Sequence, residues 1–443
     1  MPVRRVARFA LVLAASLLLG APAAIGAEQA QPGFDVLRVV NGNGKPVPYS
    51  AWISWAPSIV PTPDGGAWAF FSAEPKHERS SKKKGRLYAA RLDPTTALWQ
   101  PARPMPGGEI QMGAAAVVDG EGTLHLIYTD RAKDAPNAFA TLVYTRWNAR
   151  SDWTTPVPVA AAPNAGHQLS GSLAIDGSGR LHALWQDQRS VPPEDRATSA
   201  ANADVYASSL VNGAWTPPTQ VNAPLGSDLH ASQPHIAVDG DRVVAVWSIY
   251  RGSSQDELKS AVRVEWSTRP LDPSGAWAEP RPLIDQGEGD IGGRLVDLAA
   301  DPRGGVAVAF GRRGADRNDL FLRRLSTGGE TWDPEILLAS GSRGSYPSLA
   351  FARDGTTYVV YNVAGIGDPA NPVEVGAVAL APGAETPSEE TILTAGEDGA
   401  EGWAVATTDA RGRLWVIYFH QPVGSRVSEE VRCLRGATMG SPE

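Results

Sequence analysis

The sequence predicts an all-β fold: a seven-bladed β-propeller of four-stranded antiparallel blades, with an N-terminal strand closing the last blade. Three observations carry this. A short apolar run, an Asp-Gly type turn and a second apolar run ending in an aromatic recur seven times. The closing aromatics, Phe71, Tyr128, Trp185, Trp247, Phe310, Tyr361 and Tyr418, are spaced by 57, 57, 62, 63, 51 and 57 residues, and a near-constant period marks a repeat architecture. Helical periodicity is almost missing, so nothing competes with the strands.

Within each repeat the turn supplies left-handed or tight-turn residues that join two antiparallel strands, as in Val118-Asp-Gly-Glu-Gly-Thr-Leu-His-Leu-Ile-Tyr128 and Ile175-Asp-Gly-Ser-Gly-Arg-Leu-His-Ala-Leu-Trp185. A loop of variable length leads to a third strand, such as Thr141-Leu-Val-Tyr-Thr-Arg-Trp147 or Asp319-Leu-Phe-Leu-Arg-Arg-Leu325. A fourth strand opens with a tryptophan at Trp99, Trp153, Trp215, Trp277 and Trp332, which completes a propeller blade. The last repeat reaches a third strand near Glu430-Val-Arg-Cys-Leu434 and then lacks a fourth. Phe34-Asp-Val-Leu-Arg-Val-Val40 has no hairpin partner and is expected to supply it, which removes an exposed edge.

The first residues combine Arg4, Arg5 and Arg8 with the apolar run Phe9 to Leu19 and the small residues Ala21 to Ala27. This is the grammar of a signal peptide over residues 1–27, leaving residues 28–443 as one propeller domain that is secreted or periplasmic. No later apolar run approaches the roughly 20 residues needed to span a bilayer. The single cysteine, Cys433, excludes an internal disulfide, so stability must come from packing. Loss of the three leader arginines takes the formal charge from -8 to -11, which disfavours nucleic-acid binding.

The turns before the outer strands resemble those of the sialidase superfamily, whose BNR repeats carry an Asp-box of the form Ser-x-Asp-x-Gly-x-Thr-Trp. Leu325-Ser-Thr-Gly-Gly-Glu-Thr331-Trp332 matches at Gly329, Thr331 and Trp332, with Thr327 in place of the aspartate. Asp272-Pro-Ser-Gly275-Ala-Trp277 and Val211-Asn-Gly213-Ala-Trp215 are more eroded. The resemblance implies a sialidase-like propeller and a carbohydrate ligand. Members with sialidase activity open the first blade with Arg-Ile-Pro, whose arginine binds the substrate carboxylate. In Trp55-Ala-Pro-Ser58 that arginine's place is held by Trp55, and an indole cannot replace a bidentate guanidinium. The expectation is therefore a glycoside hydrolase or polysaccharide lyase that is not a true sialidase. The alternative is a non-catalytic propeller that binds a glycan or a protein.

Long loops gather on the face where inner strands begin, so the site is expected there. Candidate catalytic residues at blade starts near the axis are His167, His230, Tyr346, Arg294 and Glu401, which offer base, acid and charge neutralisation. Trp55, Gln111, Gln168, Gln233 and Trp403 are candidate substrate-binding residues. A second ring, Arg131, Arg189, Arg251 and the pair Arg312-Arg313, either lines a rim for an anionic ligand or fastens loops. The basic run His77 to Arg86 reads as a solvated loop, and Gln188 to Asn202 as a lid or a disordered segment. No metal signature is present: His230 and His235 are poorly spaced for zinc. No cofactor is expected, a structural calcium is left open, and the protein is expected to be a monomer with an extracytoplasmic ligand.

Overall fold

The computed structural model describes residues 34–41, 43–51, 56–76, 85–108, 110–131, 139–160, 166–192, 203–226, 229–251, 261–284, 296–313, 318–341, 343–363, 373–395, 399–425 and 427–437. The leader predicted over residues 1–27, most of the basic run and most of the Gln188 to Asn202 segment lie outside them.

Seven antiparallel sheets follow one another along the chain, each ordered from inner to outer strand as in a propeller blade. Blade 2 illustrates the unit: Ile110–Val118, Leu124–Arg131 and Thr141–Asn148, then the short outer pieces Asp152–Trp153 and Val157–Pro158. The seven closing aromatics stand in the second strands, and none is more than 1 % exposed. They fill the layer between neighbouring blades, which is why a large ring recurs at this position and an Ala does not.

The turn chemistry is sharper than the repeated Asp-Gly suggests. In blades 2, 3 and 7 the left-handed residue is the third after the aspartate: Gly122 (φ 80°), Gly179 (φ 83°) and Gly412 (φ 75°). In blades 1, 4 and 6 it is the glycine next to the aspartate, Gly65 (φ 89°), Gly240 (φ 58°) and Gly355 (φ 89°). Where the third residue takes that role the position next to the aspartate is free to vary, so Ala410 follows Asp409 and Pro302 follows Asp301. The aspartate is retained because its carboxylate accepts from the turn's own amides. Asp176 Oδ1 receives Ser178 and Arg180 at 2.9 and 3.0 Å, and Asp409 Oδ1 receives Arg411 and Arg413 at 2.9 and 3.0 Å.

Outer strands are shorter than expected. Only Trp153 and Trp215 lie in strands that pair with a third strand; Trp99 makes one isolated bridge, and Trp277 and Trp332 precede their outer strands. Proline explains the shortness in Arg103–Pro104, Val157–Pro158 and Arg281–Pro282, since it ends the run of ladder donors. Two of these tryptophans, one in an outer strand and one ahead of it, cover the preceding blade. Trp153 meets Trp68 edge-on at 5.4 Å, and Trp332 meets Trp266 at 5.6 Å.

The ring closes as the sequence predicts, with Phe34–Val36 pairing antiparallel to Glu430–Ala437. The closing strand is shorter than Phe34 to Val40, because the chain then crosses to blade 1. Leu37 and Val39 are fully buried at that crossing, while Val39–Val40 pairs with Pro46–Val47. Two polar bolts hold the seam. Tyr49 Oη donates to Leu37 O at 2.7 Å and accepts from the Val431 amide at 2.8 Å. Asp35 forms an ion pair with Arg435 and accepts from Trp99 Nε1 at 3.1 Å.

Candidate functional site

The inner strands form the wall of a central cavity of about 900 Å³. In blades 2, 3, 4, 6 and 7 the inner strand slips register against the second strand, close to the closing aromatic. Such a bulge bends the strand and re-aims a side chain. At each slip one residue adopts the left-handed conformation: Gly113 (φ 58°), Ser170 (φ 51°), Gln233 (φ 52°), Tyr346 (φ 56°) and Trp403 (φ 55°). All five line the cavity. Glycine takes this conformation freely, whereas each side-chain-bearing residue there costs about 1–3 kcal/mol.

The bulges set up two walls. Tyr346 and Trp403 lie against each other with ring centroids 4.2 Å apart and planes tilted by 35°. The two rings cover a face of each other, so the pair can meet the apolar face of a sugar ring through one outward ring face. The blade 2 side is lined by Met112, Gly113, Ala114, Ala115 and Ala116, whose mostly small side chains leave room for a ligand.

Between these walls stand histidines with distinct environments. The Ala140 amide donates to His167 Nδ1 at 3.1 Å, which places the neutral ring's proton on Nε2. Burial, with the nearby Arg131 guanidinium adding to it, lowers the His167 pKa and keeps the ring neutral. His167 is thereby set up as a hydrogen-bond donor. His230, 1 % exposed, stacks on Tyr250 at 5.6 Å and 16°. The Tyr250 hydroxyl donates to Gln233 Oε1 at 3.1 Å, which leaves the Gln233 amide hydrogens for other acceptors.

His235 and Asp297 form the one His–carboxylate pair among the described cavity residues, with Nδ1 and Oδ1 at 3.2 Å. Asp297 is held by the Leu298 amide at 2.9 Å and, across to blade 6, by the Leu349 amide at 2.7 Å. The fixed carboxylate orients the imidazole and leaves Nε2 as the remaining ring position, the arrangement of a general base. The pair also links blades 4 and 5. Equivalent places in other blades hold Ser172 and Ser348, whose hydroxyls accept from the Ile236 and Ala406 amides of the next blade at 3.1 Å each.

The cavity therefore brings together His167, His230, Gln233, Tyr346, Trp403 and Arg131. The structure assigns other sequence candidates to the framework. Gln168 is fully buried, with Oε1 accepting from the Leu142 amide and Nε2 donating to Asp187, so it joins blades 2 and 3. Gln111, likewise buried, donates to Pro106 O at 2.8 Å. Glu401 is 2 % exposed and paired with His420 Nδ1 at 2.8 Å, away from the cavity wall. Arg189 is fixed on Asp187 at 2.7 Å and lies over Tyr206, and Arg312 is fixed on Glu335 at 2.7 Å. Those two arginines fasten their surroundings. Arg251 is exposed and is not a cavity-lining residue. Trp55 and Arg294 lie outside the described residues.

Sequence reasoning missed His235 with Asp297, Ser170 and Tyr250. For Ser170 a signal existed. Gly113, Ser170, Tyr346 and Trp403 each stand fifteen residues before the closing aromatic, and Gln233 stands fourteen before it. Aligning the repeats on that aromatic places four in one column and Gln233 one position beside it. Among the described residues no cluster of three or more metal-ligating side chains occurs. No helix among them is long and apolar enough to cross a membrane.

Fold and cavity thus define a seven-bladed β-propeller with a ligand-sized central cavity. No protein-family model and no curated protein matches the chain. Several solved structures share its fold. A polysaccharide lyase of family PL25, an ulvan lyase, is 11 % identical with a TM-score of 0.56, covering 88 % of this chain and 94 % of its own. A protein of unknown function from Dyadobacter fermentans is 14 % identical with a TM-score of 0.51, covering 79 % of this chain and all of its own. A fungal alcohol oxidase in complex with copper is 12 % identical with a TM-score of 0.53, covering 89 % and 76 %. Sialidases also match, more loosely. A lyase and a copper oxidase on one scaffold show that shape alone does not set the reaction.

Proposed function

We propose that this is an exported carbohydrate-active propeller that holds a sugar chain in its central cavity and acts on it by proton transfer. The observation that carries this reading is the ring of bulges, which turns Tyr346, Trp403 and Gln233 into the same space that His167, His235 and Arg131 line. In this reading a sugar ring lies on Tyr346 and Trp403, His235 oriented by Asp297 accepts a proton, His167 donates a hydrogen bond, and Arg131 balances an acidic substituent.

Elimination fits the arrangement better than hydrolysis. A hydrolase of the common kind uses two carboxylates flanking the bond, and Asp297 is the one carboxylate among the described lining residues, already committed to His235 and backbone amides. With Trp55 at the arginine position, sialidase activity is not expected. Arg131 in the cavity lining favours an acidic ligand, and a solved polysaccharide lyase of this fold is bound to a GlcA–Rha3S saccharide, so acidic polysaccharides are the first substrates to try.

Incubation with a panel of neutral and acidic polysaccharides separates the outcomes. Elimination yields new reducing ends together with ultraviolet absorbance from an unsaturated product, hydrolysis yields reducing ends alone, and a binding propeller yields neither but retards the polysaccharide in an affinity gel. His235→Asn is expected to lower turnover by at least about a hundredfold while leaving retardation in place. Unchanged turnover in that variant overturns the assignment of the base.

A further inference from the structure

The bulge column deepens this reading. Glycine is the relaxed residue for a left-handed bulge, and blade 2 uses it at Gly113. Blades 3, 4, 6 and 7 instead keep Ser170, Gln233, Tyr346 and Trp403 in the same strained conformation. The strain is repeated at equivalent positions, and every one of these residues lines the cavity. A merely mechanical bulge has no need of an indole, a phenol, an amide and a hydroxyl in four blades.

We propose that Ser170, Gln233, Tyr346 and Trp403 are the ligand-reading positions of the cavity, one per blade, each held in a strained bulge for contact with a carbohydrate. The inference rests on the carbohydrate reading above. The four positions divide the work. Tyr346 and Trp403 brace each other by stacking at 4.2 Å, and the pair supplies an outward aromatic face to a sugar ring. Gln233 has its carbonyl oxygen taken by Tyr250 and so presents donors to a sugar hydroxyl or ring oxygen. Ser170 adds a small hydroxyl next to the glycine and alanine wall. Relief of strain at these positions is expected to stabilise the protein and weaken ligand binding together, whereas an ordinary binding residue gives only the second effect.

Asn212 supplies an internal control. It has the same left-handed backbone (φ 51°) in the turn between Asp204–Val211 and Ala214–Trp215, is exposed, and is not a cavity-lining residue. The experiment compares Ser170→Gly, Gln233→Gly, Gln233→Glu and Asn212→Gly in the full mature chain. Each is measured by urea unfolding and by binding to fluorescently labelled oligosaccharides from neutral glucans, polyuronates and sulfated galactans.

The three glycine variants are expected to raise the urea midpoint. Gln233→Gly and Gln233→Glu are expected to weaken binding by about tenfold or more, and Asn212→Gly to leave it within about twofold. A midpoint that fails to rise in Ser170→Gly and Gln233→Gly while rising in Asn212→Gly overturns the strain argument. Wild-type binding that survives both Gln233 substitutions sinks this proposal and leaves the carbohydrate reading standing. Absence of wild-type binding to every probe removes the carbohydrate reading, and the proposal with it.

Discussion

Lowering the pH is expected to weaken the fold through one buried histidine in particular. His182 is fully buried behind the blade 3 turn, with Nε2 on Asp176 Oδ2 at 3.2 Å and Nδ1 at 2.8 Å from Ser209 Oγ and 3.2 Å from Arg269 Nη2. Serine, histidine and aspartate here have the spacing of a catalytic triad, yet His182 and Ser209 are both 0 % exposed and Arg269 donates to Ser209 Oγ at 2.6 Å. The network is a staple between the turn and the third strand. Burial is the largest influence on the ring, opposed by Asp176 and reinforced by Arg269 and Arg180, and the pKa falls from 6.5 to about 4. Between those values the unfolded chain binds a proton that the folded chain refuses, so stability rises with pH across that window and is lost as pH falls. At 1.36 kcal/mol per unit the full loss is about 3 kcal/mol, most of it complete by about pH 4.5. His125 and His167 are shifted the same way and add to the trend. The turn carboxylates Asp119, Asp176 and Asp409 have lowered pKa values, so their contribution is lost only below that window, as pH falls past about 4. Urea unfolding of wild type and His182→Gln between about pH 7 and pH 4.5 provides the assay. The variant is expected to be less stable at pH 7, with a pH dependence flatter by about 2–3 kcal/mol. Equal slopes in the two proteins would refute the argument.

Three further perturbations test the framework. Gly179→Ala, at φ 83°, is expected to destabilise by about 1–2 kcal/mol in urea melts, whereas Gly177→Ala, with open space around its Cβ and ordinary φ, is expected to be neutral within about 0.5 kcal/mol. Tyr49→Phe strips the seam of a hydroxyl that donates to Leu37 and accepts from Val431, and a loss of about 1–3 kcal/mol is expected in the same assay. Glu401→Leu strips the buried His420 Nδ1 of its hydrogen-bond partner; a loss of about 1–3 kcal/mol, seen as a lowered melting temperature at pH 7, is the expected result, and an unchanged melting temperature speaks against a structural role for the contact.

The seven blades were readable because their causes are local. An aspartate in the turn, a left-handed glycine one or three residues on, and an aromatic at the end of the next run all act over a few residues, so they recur wherever a blade recurs. Ring closure was readable for a related reason: a final repeat short of one strand and an unpaired N-terminal run are complementary deficits. The outer strands were overestimated at Trp277 and Trp332, because a large apolar residue marks burial, and burial against the previous blade is supplied by a side chain without a strand.

The candidate site was only half readable, and the division has a physical cause. Gln233, Tyr346 and Trp403 stand out in sequence as polar or aromatic residues at blade starts and line the cavity, but Gln111, Gln168 and Glu401 have the same look in sequence and are not among the lining residues. Which way each points is decided by the bulge, and a bulge built on Ser, Gln, Tyr or Trp leaves no glycine to announce it. His235 and Asp297 are far apart in the chain and meet because blades 4 and 5 are neighbours around the axis. Sequence by itself determined the repeat, the turn and the buried ring of aromatics, since short-range hydrogen bonding and apolar periodicity dictate them. Only the tertiary structure decided which side chains share the cavity, since that depends on where each inner strand bulges against its second strand and on contacts between blades.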